Sequence, residues 1–160
     1  SKLGVNIQYI SENEPLGTAG ALSLLEFKPD LPFVVTNGDV LTDLNYRELL
    51  EFLTRNSAVG AMTVRLYEWR NPFGVVLLDG VQIKGFDEKP VIKSYINAGV
   101  YAFEPSAIDN LVHNQHCDMP TLFDRLRENN LNTVAFFAHE KWLDVGRPQD
   151  LQFANSDKYC

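Results

Sequence analysis

Cysteine is scarce: only Cys117 and Cys160 occur in 160 residues. They show no paired spacing and no histidine at metal-ligand distance, which disfavours a disulfide framework or a zinc site. Free thiols in a reducing, cytoplasmic setting are the expectation. Long apolar runs are absent, so no segment reaches membrane-spanning length. No signal peptide is visible, although the chain opens Ser1-Lys2-Leu3 and enters an apolar run at once, as if cut from something longer. Positive charge is in deficit, with 14 Lys and Arg against 21 Asp and Glu, a formal net charge of -7. That balance argues against nucleic acid or an anionic membrane as a bulk partner, because both need a positive field. A nucleotide held by a local cation, a metal or backbone N–H groups remains compatible with it. Histidine is also rare. His113, His116 and His139 have no Ser, Cys or acid partner at a recognisable spacing, so they read as surface or core residues rather than catalytic bases.

There is no internal repeat, low-complexity stretch or Gly/Ser linker. With 45% hydrophobic and 22% charged residues, the composition supports one core and one domain. Val5 to Ile10 reads as a short strand and Thr18 to Phe27 as a helix stopped before Pro29. Phe33 to Thr36 suits a buried parallel strand with a polar C-terminal end. Asn45, with Glu48 three residues on, predicts a capped helix that buries Leu49, Phe52 and Leu53 on one face. Ala58 to Leu66 reads as the next strand, an alternation that argues for an α/β sheet with parallel pairing. Phe73 to Leu78 and Val81 to Phe86 flank Asp79-Gly80, a strong hairpin turn. Tyr95 to Phe103 reads as a strand broken by Asn97-Ala98-Gly99. Pro105 and Pro120 start helices, the second with Leu122, Phe123 and Leu126 inward. Thr133 to Phe137 is a last core strand, Trp142 to Pro148 a loop, and a short helix closes the chain.

Four polar clusters interrupt the apolar pattern where elements end, and ligands of open α/β sheets bind beyond the carboxyl ends of strands. Glu14 to Ala21 (EPLGTAGA) offers two glycines for close backbone approach and a helix N-terminus with free N–H groups; a plain loop-to-helix turn would look the same. Asn37-Gly38-Asp39 presents a carboxylate at a strand end, a fair Mg²⁺ ligand or simply an Asp in a turn. Glu88-Lys89-Pro90 could bind a hydroxyl and a phosphate, or be two charges at a hairpin exit. In Trp142 to Pro148 (WLDVGRP), Asp144 lies between Leu143 and Val145 and is expected to point from a packed loop into a cleft. Arg147 could instead pair with it as a structural salt bridge.

Taken together, the order LGTAGA, NGD, FGVV, EKP, NAGVY and WLDVGRP resembles the sugar-phosphate nucleotidyltransferases, which include the mannose-1-phosphate guanylyltransferases and glucose-1-phosphate thymidylyltransferases. The resemblance runs from about Lys2 to Leu151. It implies a Rossmann-like nucleotide-diphospho-sugar transferase fold of the α/β class, a mixed, mostly parallel sheet with helices on both faces. The activity implied is transfer of a nucleotidyl group from a nucleoside triphosphate to a sugar 1-phosphate, with Mg²⁺ and without a covalent enzyme intermediate. By the same resemblance Leu16, Gly17, Thr18, Ala19 and Gly38 would bind the nucleotide, and Asp39 and Asp144 would be catalytic metal ligands. Glu88 and Lys89 would contact the sugar and its phosphate, Lys89 also serving catalysis, and Asn97 and Gly99 would border the sugar pocket. The family often forms dimers or tetramers, so a homo-oligomer is an expectation.

Within the family the sequence most resembles the bacterial guanylyltransferase-like branch. Some of its members carry tandem CBS domains upstream, and its substrate can be an amino-sugar phosphate on the way to nonulosonic acids. The family's opening signature, Gly-x-Gly-Thr-Arg-Leu-x-Pro-Leu-Thr, and the lysine-bearing segment after it are absent, roughly two βα units. The chain thus reads as the C-terminal part of a single nucleotidyltransferase domain, truncated at its N-terminus and expected to be inactive alone. Two other readings stay open: a non-catalytic sensor of sugar nucleotides, and a metal-dependent glycosyltransferase. The second usually shows an Asp-x-Asp, whereas Asp39 is followed by Val40-Leu41.

Overall fold

The computed structural model describes residues 4–156. Its centre is a four-stranded sheet in the order β1-β6-β3-β7, formed by Phe33–Thr36 (β1), Gly60–Arg70 (β3), Val91–Phe103 (β6) and Thr133–Phe137 (β7). β3 and β7 pair in parallel, but β6 lies antiparallel between β1 and β3. Three strands therefore share one direction, while the expected parallel pairing of β1 is corrected: its neighbour is β6. The local apolar pattern of β1 cannot distinguish the two, because both faces are covered. Phe33 and Val35 pack towards one cluster and Val34 towards the other, as the two-residue side-chain period requires.

Helices cover both faces. On one side lies α3 (Met119–Glu128), whose Leu122, Phe123 and Leu126 enter the core with Tyr101 and Phe103. On the other lies α2 (Tyr46–Arg55). Its start is fixed by Asn45, whose Oδ1 accepts from the N–H groups of Arg47 and Glu48 and whose Nδ2 donates to Glu48 Oε1 at 2.9 Å. Leu49 and Leu53 are fully buried, each worth about 2 kcal/mol of transfer free energy. Phe52 meets Phe136 edge to face at 5.2 Å.

Two small ribbons flank the sheet. Val75–Asp79 (β4) and Gln82–Asp87 (β5) form the expected hairpin, with Gly80 at φ +56. Val40–Thr42 (β2) pairs antiparallel with Trp142–Asp144 (β8), so part of the expected loop at 142–148 is a strand. Pro148–Ala154 (α4) follows.

Other expectations are corrected. Residues 5–10 form no strand, and Val5, Ile7, Tyr9 and Ile10 are exposed; alternating apolar residues make a strand only where a sheet edge receives them. The expected helix from Thr18 shrinks to one turn, Gly17–Gly20 (α1), continued by the 3₁₀ turn Ala21–Leu24. There Ser23 Oγ donates back to the Gly20 carbonyl, a bond that competes with helix propagation. Pro105 starts a 3₁₀ turn, Pro105–Asn110, and Pro120 falls in the first turn of α3. Strand β6 is bulged rather than broken: its register to β3 jumps from Tyr101–Met62 to Asn97–Val64. Among the described residues Cys117 is a free, buried thiol; Cys160 lies outside them.

Candidate active site

Three separate segments meet at the β6 bulge. Residues 98–100 drop out of the ladder to β3, which frees the Ala98 carbonyl for another partner, while Gly99 and Val100 keep their places opposite the β1 side. The Gly99 carbonyl accepts from the Asn37 N–H at 2.8 Å, just past the end of β1. The Ala98 carbonyl accepts from Trp142 Nε1 at 2.7 Å. Gly99 adopts φ +71, and a Cβ there would lie 2.9 Å from Val40 Cγ2 and 3.0 Å from Asn37 Nδ2, so both backbone and space demand glycine. Asn97 holds the bend: its Oδ1 accepts from the Gly99 N–H and its Nδ2 donates to the Tyr101 hydroxyl at 2.7 Å. Burial pushes the Tyr101 phenol above its ordinary value, with the Asn97 bond pulling the other way.

This junction brings Asp39 and Asp144 together. Val40 is in register with Asp144, and the Val145 N–H donates to the Asp39 carbonyl at 2.8 Å. Gly146 lies between the carboxylates: a Cβ on it would sit 3.0 Å from Asp39 Oδ2 and 3.0 Å from Asp144 Oδ1. The separation of those two oxygens cannot exceed the sum of these distances. The Gly146 N–H also donates to Asp144 Oδ1 at 2.8 Å. No ion pair joins Arg147 to Asp144 among the described residues. Two carboxylates with no thiolate or imidazole form a hard oxygen donor set, and no group of three or more His, Cys, Asp or Glu gathers among the described residues. That set fits Mg²⁺, which binds one or two carboxylates and completes its shell with water and phosphate oxygens.

A cleft of 490 Å³ opens beside Asp39, walled by Glu12, Gly17, Thr18 and Ala21 on one side and by Thr36, Asn37, Gly38 and Asp39 on the other. Two of the four clusters thus face each other across a space of ligand size. The expectation of free N–H groups at the α1 terminus is corrected. Thr18 N–H donates to Asp118 Oδ1, and the N–H groups of Ala19 and Gly20 donate to the Cys117 carbonyl at 2.9 and 3.0 Å. Thr18 Oγ1 in turn accepts from the Met119 N–H at 2.8 Å, at the start of α3. Leu16 is buried, and its carbonyl accepts from the Cys117 N–H. The glycine-rich turn is therefore docked on 116–119. Gly17, at φ +76, could not carry a Cβ, which would fall 2.6 Å from Asp118 Oδ1.

Glu88 and Lys89 follow β5 and are exposed, their charged ends 3.9 Å apart. Lys89 lies at φ +50, uncommon for a long side chain. Gly74 leaves room for Glu88, whose Oε2 would be 2.9 Å from a Cβ there. No hydrogen bond or ion pair joins this pair to Asp39 or Asp144 among the described residues. His113 Nδ1 lies 2.9 Å from the Ser23 carbonyl, a structural contact. Sequence reasoning gave no separate roles to Gly146, Trp142, Asp118 or Gly74. The first two lie in the WLDVGRP run and Gly74 in FGVV, so their motifs were visible but not their partners.

A helix-covered α/β sheet with a glycine-rich turn and an acidic pair at one rim defines a Rossmann-like fold. The nucleotidyl transferase family model matches residues 1–159, and the chain belongs to that family. It is 37% identical over 156 residues to a mannose-1-phosphate guanyltransferase of Yarrowia lipolytica, covering 93% of this chain and 43% of the relative. It is 35% identical over 156 residues to a mannose-1-phosphate guanylyltransferase catalytic subunit beta of Drosophila pseudoobscura pseudoobscura, covering 93% and 42%. The chain thus spans less than half the length of these relatives. Among solved structures, HddC from Yersinia pseudotuberculosis aligns with TM-score 0.59 and 25% identity over 89% of this chain and 63% of that one. A Bacillus anthracis protein provisionally assigned as a glucose-1-phosphate thymidylyltransferase, solved with sucrose, aligns with TM-score 0.70 and 22% identity over 96% and 65%, which speaks to the fold alone.

Proposed function

We propose that this chain is the C-terminal part of a single nucleotidyltransferase domain, and that the full-length protein joins a nucleoside triphosphate to a sugar 1-phosphate and releases pyrophosphate. Family membership supports the reaction class, and the observation that carries the site is the approach of Asp39 and Asp144 to Gly146. A phosphate oxygen of the sugar 1-phosphate forms a bond to the α-phosphorus. The bond from that phosphorus to the bridging oxygen breaks, and its electron pair leaves with pyrophosphate. No side chain forms a covalent link. Catalysis then comes from positioning and charge neutralisation.

Asp39 and Asp144 would hold Mg²⁺. When bound, the ion offsets charge on the reacting phosphates. Gly17, Thr18 and Gly38 border the nucleotide; Leu16 and Ala19, both buried, support that wall from behind. Lys89 holds the attacking phosphate and Glu88 a sugar hydroxyl, while Asn97 and Gly99 shape the sugar side. The relatives' names favour guanosine triphosphate and mannose 1-phosphate as first substrates to try. A cytoplasmic setting, self-association and upstream CBS domains belong to this proposal. No helix among the described residues is long and apolar enough to cross a membrane.

The test uses Asp144→Ala in the full-length protein, with pyrophosphate release followed in Mg²⁺. Loss of at least a hundredfold in turnover is expected; near-normal turnover rejects the role. Release of a nucleoside diphosphate instead would point to a glycosyltransferase. Nucleotide-sugar binding that is indifferent to Mg²⁺, with no turnover, would point to a sensor.

A further inference from the structure

The β2–β8 ribbon, which ends on Asp144 and begins just after Asp39, is only three residue pairs long. A two-stranded ribbon of that size is not stable by itself in water, so something else must fix where the carboxylates stand. Among the ties that leave the ribbon, two end on consecutive residues of the β6 bulge, Ala98 and Gly99. On the Asp39 side, Val40 packs against Gly99, and the Asn37 N–H is held by the Gly99 carbonyl. On the Asp144 side, Trp142 Nε1 donates to the Ala98 carbonyl at 2.7 Å. The Arg65 guanidinium lies 5.5 Å from the centre of the Trp142 ring, and its Nη1 donates to the Glu140 carbonyl at 2.8 Å. The bulge makes this arrangement available. In an unbroken β3–β6 ladder the residue 98 carbonyl would be a ladder acceptor, whereas here it is released to an indole.

We propose that Trp142 is a positioning residue: its indole N–H, seated on the Ala98 carbonyl, sets the β2–β8 ribbon against the main sheet and thereby fixes the separation of Asp39 and Asp144. The inference rests on the metal-holding reading of that pair. Trp142 stands two residues before Asp144 on the same strand, so a shift of its ring moves the carboxylate with it. Asp39 is anchored to the neighbouring bulge residue through a different set of contacts. The two aspartates thus share one reference point in β6, and loosening either anchor changes their mutual distance.

The test is Trp142→Phe in the full-length protein, which keeps a ring beneath Arg65 and removes the N–H. Mn²⁺ binding without substrates is measured by electron paramagnetic resonance of the free ion, and amide hydrogen exchange is followed at Val145 and along β3 and β6. Expected are about fivefold weaker Mn²⁺ binding, from loss of roughly one hydrogen bond, and faster exchange at Val145 with β3 and β6 unchanged. Unchanged exchange at Val145 overturns the proposal, as does a uniform rise across the sheet, which would make Trp142 a packing residue only. Asp144→Asn serves as the control. If it leaves Mn²⁺ binding intact, the metal-holding reading has failed, and the Val145 exchange still decides for or against Trp142 as the anchor. If it abolishes binding while Trp142→Phe does not weaken it, the positioning role is rejected.

Discussion

The backbone N–H of Val145 donates to the carbonyl of Asp39 at 2.8 Å, locking a residue near one end of the chain to a turn in its first third. Each partner adjoins or carries a candidate metal carboxylate, and Gly146 fills the space between them. What the pair can hold therefore depends on a glycine that makes no side-chain contact.

Gly146→Ala tests that dependence. Gly146 is not among the residues with a left-handed backbone, so the fold accepts the substitution. The added methyl meets both carboxylate oxygens at 3.0 Å, and these flexible ends must move apart. The expected result is an unchanged urea midpoint with about a tenfold rise in the Mg²⁺ concentration for half-maximal turnover of the full-length protein.

Gly17→Ala should behave oppositely. Its φ of +76 and the 2.6 Å approach to Asp118 Oδ1 leave no room for a Cβ. A loss of about 1–3 kcal/mol in unfolding free energy is expected by chemical denaturation, with the docked turn at 116–119 exchanging amide hydrogens faster. A stability equal to the parent would show that the glycine serves ligand approach rather than packing.

Thr63 is buried opposite the β6 bulge, and its Oγ1 has no hydrogen-bond partner. A buried hydroxyl left in that state costs more than an apolar group of the same shape. Thr63→Val is expected to leave stability equal or to raise it by about 1 kcal/mol, read from the urea midpoint. A clear loss would show that the hydroxyl is satisfied in solution.

Stability should fall in alkali. Burial raises the Cys117 thiol, with Arg125 lowering and Asp118 raising it further, and burial likewise raises the Tyr101 phenol. A folded-state value above the unfolded one means stability is whole below the unfolded value and is lost as pH climbs through the folded one. The decline therefore begins above the ordinary thiol range, near pH 8.5, and steepens past about 10. Cys117→Ala should remove the earlier part of the decline; a denaturation series from pH 7 to 11 checks it.

Several elements were legible because their causes are local. Asn45 with Glu48 announced α2, the spacing of Leu122, Phe123 and Leu126 announced the buried face of α3, and Asp79-Gly80 announced the hairpin. The chemistry-bearing clusters were equally legible, since Gly, Asp and Lys at element ends stand out against an apolar pattern. Residues 5–10 misled for the complementary reason: alternation states what a strand would bury, not whether an edge is there to receive it.

By itself the sequence determined α2, α3, the hairpin turn and the set of polar residues from which a site could be built, because caps, turns and periodicity act over a few residues. Only the tertiary structure decided that β6 enters antiparallel between β1 and β3, that the glycine-rich turn spends its N–H groups on 116–119, and that Asp39 and Asp144 share Gly146. These relations join residues far apart in the chain. Each is fixed by which distant backbone and side-chain groups close on one another, and no local pattern encodes that choice.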